Sequence, residues 1–112
     1  MKRCYVTGCG GFIGSNLVDR LLTQGWAVTG IDNFSTGQKN FLDAALSNPN
    51  FSLCEIDLLD LKKLKTVFKT NEGDIVFHLA ANADVRFGTE HTKRDLEQNT
   101  IVTYNVLEAM KE

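Results

Sequence analysis

Three glycines spaced three apart, Gly8, Gly11 and Gly14, stand in the run Thr7-Gly8-Cys9-Gly10-Gly11-Phe12-Ile13-Gly14. Each has a distinct use. Gly8 permits a tight turn, Gly11 lets the backbone approach a diphosphate with no Cβ in the way, and Gly14 lets a helix pack closely on a sheet. A helix opening at this point aims its unpaired N–H groups and the positive end of its dipole at the phosphates. Asp32 follows at the separation expected of an acid that bonds the adenosine ribose hydroxyls. No Lys or Arg lies between Asp32 and Gly37, so a 2′-phosphate would meet a carboxylate with no counter-charge. The pattern therefore points to NAD rather than NADP. A glycine triplet can also serve packing alone, and an aspartate can merely cap the next turn. The flanking elements decide between these readings.

Those elements follow from apolar patterning. Residues 4–7 are apolar or β-branched and end at glycine, as a buried strand does (β1). From Phe12 to Thr23, Ile13, Leu17, Val18, Leu21 and Leu22 recur at helical spacing, and Gly25 sits where a helix C-terminal cap belongs. Residues 26–31 read as β2, ending at Asp32. A polar stretch with a short helix over 39–46 is punctuated by Pro49, the sole proline. Residues 51–56 read as β3 and 74–81 as β4. A helix over 61–69 turns Lys62, Lys63, Lys65 and Lys69 to solvent, and a last helix spans 95–111 with Leu96, Val102, Val106, Leu107 and Met110 on its apolar stripe. Strands alternating with helices predict an α/β fold, a Rossmann-type parallel sheet of order 3-2-1-4 with helices on both faces, half of the full doubly wound fold. The glycine loop thus lies between a strand and a helix, the setting that the phosphate-binding reading requires.

Composition sets outer bounds. The 112 residues suffice for one domain, and 43% hydrophobic with 23% charged residues is ordinary globular usage, not that of a disordered tail. A net charge of −2 gives no general attraction to nucleic acid or an anionic membrane. The longest apolar runs fall far short of the roughly 20 residues that cross a bilayer, and Met1-Lys2-Arg3 leads straight into a strand, unlike a signal peptide. Cys4, Cys9 and Cys54 are odd in number and lack metal spacing, which fits a reducing cytoplasm and reduced thiols. Cys9, beside a helix N-terminus, is placed where a thiol pKa could be lowered. It reads better as an ordinary loop residue. His78, inside a buried strand, reads as a hydrogen-bonded core histidine rather than a base.

With those residues in place, the chain resembles the extended short-chain dehydrogenase/reductase family, specifically its NAD-dependent nucleotide-sugar epimerases (isomerases) and dehydratases. The resemblance runs in register through Thr7 to Gly14, Asp32-Asn33-Phe34-Ser35-Thr36-Gly37 and Asp57-Leu58. It continues through His78-Leu79-Ala80-Ala81, Asp84-Val85-Arg86, and Asn99 ahead of Thr103 to Ala109. It implies that Phe12 and Ile13 lend backbone N–H groups to the diphosphate of NAD. It implies that Asp32, Asn33, Phe34, Ser35, Thr36 and Gly37 surround the adenosine ribose, and that Asp57 and Leu58 flank the adenine. Leu79, Ala80 and Ala81 would pass beneath the central and nicotinamide portions, with Asn99 holding the β4 end of the site.

The family deprotonates its substrate with a tyrosine assisted by a lysine four residues on. Tyr5 is followed at that distance by Cys9, and Tyr104 by Glu108, so neither fits. The resemblance places that pair after a fifth strand, followed by a substrate domain. Residues 1–112 are accordingly expected to be the N-terminal portion of an NAD-binding domain, without catalysis of its own. The parent enzyme would transiently oxidise a hydroxyl of a nucleotide-sugar substrate. Two other readings are a stand-alone NAD-binding module, as a sensor or scaffold, and another extended reductase. The resemblance also implies a homodimer through the final helix, and a bare β4 edge of Ile75, Val76, Phe77 and Leu79 would favour self-association.

Overall fold

The computed structural model describes residues 1–35, 37–71, 73–80 and 97–111. Four parallel strands, β1 (Arg3–Thr7), β2 (Ala27–Asp32), β3 (Phe51–Glu55) and β4 (Ile75–His78), form one sheet in the order β3-β2-β1-β4. That is the predicted order. In register, Thr7 pairs with Ile31 on one side and His78 on the other, and Asp32 pairs with Glu55. The C-terminal ends of the strands therefore align at one edge of the sheet, where ligands bind in open α/β folds.

Helices cover both faces. α1 (Phe12–Thr23) and the short pair formed by a 3₁₀ turn (Lys39–Leu42) and α2 (Asp43–Leu46) lie on one side, and α3 (Leu61–Thr70) and α4 (Val102–Met110) on the other. The strand alternation explains the two cores. Cys4, Val6 and Val28 point to a cluster completed by Val18, Leu21, Leu22, Leu42, Ala45 and Phe51. Tyr5 and Ile31 point to a second cluster with Leu58, Leu64, Val67, Val102, Val106 and Ala109. Burial on both faces is why β1 reads as a continuous apolar run.

Local chemistry sets the ends of these elements. α1 stops as its last carbonyls are taken by Gly25 N–H, bonded to Leu22 O (3.0 Å), and Trp26 N–H, bonded to Leu21 O (3.0 Å). Gly25 has φ +86°, the left-handed conformation this termination needs. The same bond keeps Trp26 out of β2. Its indole meets Phe77 edge-on at 6.4 Å between centroids, and Lys2 Nζ lies 5.4 Å from the ring centre. Asp60 caps α3 by accepting the Lys63 N–H at 3.1 Å.

Three elements differ from expectation. β4 ends at His78 rather than 81: the Leu79 N–H is shared between the Thr7 carbonyl (3.2 Å) and the Thr7 hydroxyl (3.0 Å), and the Ala80 N–H turns to that hydroxyl (3.2 Å). Ala81 lies outside the described residues. The predicted helix over 39–46 is split into a 3₁₀ turn and one α-turn, anchored by fully buried Leu42 and Ala45. The described part of the last helix begins with a π-turn (Glu97–Ile101) ahead of α4. There the Thr103 hydroxyl donates to the Asn99 carbonyl (2.9 Å), the acceptor that the Thr103 N–H would use in a regular α-helix.

Candidate functional site

The aligned strand ends open into a cleft of about 310 Å³. Its floor is the glycine loop. Gly8 leaves β1 with φ +70°, its N–H bonded to Ile31 O (2.8 Å), and its carbonyl accepts the Gly11 N–H (3.1 Å). A Cβ on Gly8 would come 2.9 Å from the backbone of Leu79 and Ala80. A Cβ on Gly14 would overlap the Gly8 carbonyl oxygen and sit 2.9 Å from its carbon. The loop is thus wedged between α1 and the chain leaving β4, with no space for a side chain at Gly8 or Gly14.

Gly11 is the N-cap of α1 and supplies no side-chain cap, and the first turn carries no acidic residue. The first regular bond of the helix is Ser15 N–H to Gly11 O (2.9 Å), so the N–H groups of Phe12, Ile13 and Gly14 have no helical acceptor. All three residues line the cleft. Phe12 and Ile13 stand 75% and 71% exposed, so neither packs into the core.

The other end of the cleft is organised by Asp32. Its carboxylate accepts the Gly10 N–H at 2.8 Å through one oxygen and the Phe34 N–H at 2.8 Å through the other. The second bond holds Phe34 at φ +58°, the left-handed region. Asn33 repeats the motif by accepting the Ser35 N–H (3.0 Å). Each carboxylate oxygen keeps a lone pair for a hydroxyl donor. Across the cleft, Asp57 accepts the Leu59 N–H (2.9 Å), and the buried Asn105 amide of α4 donates to the Leu58 carbonyl (2.8 Å), which locks that turn in place.

The pattern of the NAD dependent epimerase/dehydratase family matches residues 4–112. The chain belongs to that family. It is 37% identical to a UDP-glucose 4-epimerase of Mycolicibacterium smegmatis, over 97% of this chain and 34% of that protein. It is 36% identical to a UDP-N-acetyl-alpha-D-glucosaminuronate decarboxylase of Bacillus cytotoxicus, over 96% of this chain and 32% of that one. The crystal structure of Thermus thermophilus UDP-glucose 4-epimerase in complex with NAD superimposes with a TM-score of 0.88 at 33% identity, over 97% of this chain and 33% of that one. The chain spans about a third of the length of these relatives.

Within this family member, the cleft gathers Gly8, Gly11, Phe12, Ile13, Gly14, Asp32, Asn33, Ser35, Gly37, Asp57, Leu58, Leu79 and Ala80 of the residues singled out by sequence. Phe34 stands behind the cleft, its ring packed against the α carbon of Gly10. Asn99 lies exposed on the π-turn, away from the cleft lining. Thr36 and Ala81 lie outside the described residues. Ile31, Ile56 and Val102 also line the cleft and were not singled out. Neither were Thr7 and Asn105, which position its backbone. An Asn on the stripe Val102, Val106, Ala109 of a buried helix face was the available signal for Asn105.

Two titratable groups beside the loop resolve as structural. Cys9 is fully buried, and burial, reinforced by the Asp32 charge, pushes its thiol up to about 12, overriding the helix terminus that could have lowered it. His78 is bonded at both ring nitrogens, to Thr7 Oγ1 (2.6 Å) and Thr103 Oγ1 (3.0 Å). Because the Thr7 oxygen already accepts from Leu79 and Ala80, its single proton goes to His78 Nδ1. The ring is then neutral with its own proton on Nε2, directed at the Thr103 oxygen, and the Thr103 hydroxyl in turn donates to the Asn99 carbonyl.

A second proton on His78 would break the Thr7 bond, and burial lowers its pKa from the usual 6.5. The unfolded chain therefore takes up that proton first as pH falls. Stability is full above about pH 6.5 and declines as pH drops from there through the folded value. Urea denaturation from pH 7.5 to 5.5 is expected to show a falling midpoint in wild type and a flatter profile in His78→Gln. Identical slopes would refute the assignment.

Proposed function

We propose that this chain binds NAD in the cleft, with the diphosphate on the N–H groups of Phe12, Ile13 and Gly14 and the adenosine ribose on Asp32. The carrying observation is that an uncapped helix start and a carboxylate with spare acceptor capacity lie at two ends of one groove. The floor of that groove is glycine wherever a Cβ would intrude. Asp57 and Leu58 form the adenine wall, and Leu79 and Ala80 pass beneath the nicotinamide half. Asn99 acts through Thr103 rather than by direct contact.

Residues 1–112 act as the N-terminal, cofactor-holding portion of a nucleotide-sugar epimerase or dehydratase of the UDP-glucose 4-epimerase type. When bound, NAD would accept the hydride from the carbon that bears the sugar hydroxyl, whose proton goes to a base. The chain's own residues bind and orient it, and proton abstraction from the sugar falls to a tyrosine–lysine pair outside these residues. Relatives named as decarboxylases as well as epimerases fit a shared oxidation step followed by different fates. The exposed face of α4, with Tyr104, Leu107 and Met110 each about half exposed, supports a homodimer through that helix. Three unpaired thiols support a cytoplasmic setting, and no helix among the described residues is long and apolar enough to cross a membrane.

Calorimetric titration with NAD and NADP tests the reading. NAD is expected to bind, with NADP weaker by about tenfold or more. No binding of either would overturn the assignment of the cleft, and equal affinities would remove Asp32 from its role as selector.

A further inference from the structure

Lys39 is the only Lys or Arg between Arg20 and Lys62, and the structure sets it against Phe34 and Glu55, next to the strand ends that carry Asp32. Its Nζ lies 2.7 Å from Glu55 Oε1 and 5.4 Å from the centre of the Phe34 ring. Glu55 is the register partner of Asp32 on the neighbouring strand, so two carboxylates end adjacent strands here. Phe34 and Asp32 in turn crowd the same point. A Cβ built on Gly10 would lie 2.5 Å from the Phe34 ring and 2.9 Å from Asp32 Oδ2. The side chains of Lys39 and Glu55 are 58% and 50% exposed, and a pair so open to water adds little to stability. Its effect is on the local field. A free lysine on a four-carbon stem beside the ribose carboxylate would be a point charge able to meet a 2′-phosphate. Held by Glu55, it is neutralised and drawn over the outer face of Phe34.

We propose that Glu55 is a cofactor-specificity residue. By pairing with Lys39 it removes the cation nearest to Asp32 in sequence as a partner for a 2′-phosphate, so exclusion of NADP is shared between Asp32 and the Glu55–Lys39 pair. The inference rests on the placement of the adenosine ribose at Asp32. Glu55 acts through Lys39 and need not touch the cofactor.

Calorimetry on residues 1–112, with NAD and NADP each titrated into wild type, Glu55→Gln and Glu55→Gln/Lys39→Gln, tests it. Glu55→Gln is expected to tighten NADP by about fivefold while NAD changes by less than about twofold, and the added Lys39→Gln to abolish that gain. Lys39→Gln alone, leaving Glu55 uncompensated, should weaken NADP further. Thermal melts of the variants, expected to match wild type, separate selectivity from folding. An NADP-to-NAD ratio unchanged in Glu55→Gln, with NAD still bound, overturns this proposal and leaves the cleft assignment standing. Wild type that binds neither nucleotide overturns the cleft assignment, and this proposal with it.

Discussion

Replacing Gly14 by Ala is expected to cost about 3 kcal/mol of stability and to abolish dinucleotide binding. The new methyl would overlap the carbonyl of Gly8, a backbone group already bonded to the Gly11 N–H and fixed between Ile31 and β4. No side chain can rotate aside to make room. Either α1 lifts from the sheet, opening the core around Val18 and Leu21, or the loop turn deforms and its amides lose their aim. For a domain of this size the melting temperature should fall by about 10–15 °C. Gly11→Ala is the informative contrast. Its methyl would meet only the Gly8 oxygen at 3.4 Å, an ordinary contact, so the fold should melt close to wild type. That methyl would still occupy the diphosphate approach, and NAD affinity should drop by about tenfold or more. A Gly14→Ala protein that melts like wild type would show that α1 does not need its close seat on the loop.

Asp32→Ala should weaken NAD by about a hundredfold, some 3 kcal/mol, as ribose hydroxyls lose an ionised acceptor. The same substitution strands the N–H groups of Gly10 and Phe34, so part of the loss comes from a loosened loop. Selectivity isolates the charge. With the carboxylate gone, NADP should be rejected less and the ratio of the two affinities should approach unity. Asp32→Asn keeps one acceptor oxygen and most of the loop geometry, so it should retain more NAD affinity than Asp32→Ala while also losing discrimination. A ratio unmoved in both variants would mean that the carboxylate only closes the turn.

Patterns governed by neighbours in sequence are legible from the residues alone. The strand order, α1 from Phe12 to Thr23 and the left-handed role of Gly25 follow from apolar periodicity and glycine placement, which are local signals. The cleft's glycines and Asp32 are legible because a turn, a helix start and a strand end each constrain residue type. The features that sequence does not reveal share a different cause. The Ala80 N–H just beyond β4 is taken by a hydroxyl 73 positions upstream, and the Leu58 turn is held by an amide 47 positions downstream. Such pairings have no periodicity to detect. Cys9 shows two local rules in conflict: a helix terminus favours thiolate, but full burial beside Asp32 wins. The sequence neighbours of Phe34 suggest a place around the ribose, whereas its left-handed backbone turns the ring behind the loop.

Trp26, the sole tryptophan, precedes β2 at the end opposite Asp32, a separation of about 15–20 Å along the strand. Its emission is consequently set by Phe77 and Lys2 rather than by direct contact with the cleft, whose lining does not include it. Saturating dinucleotide should leave the fluorescence spectrum nearly unchanged, while denaturation should shift it to the red as the indole meets water. One optical channel can therefore follow unfolding with or without nucleotide present. Any rise in transition midpoint on adding NAD would then report linkage between occupancy and folding, free of quenching by the ligand itself.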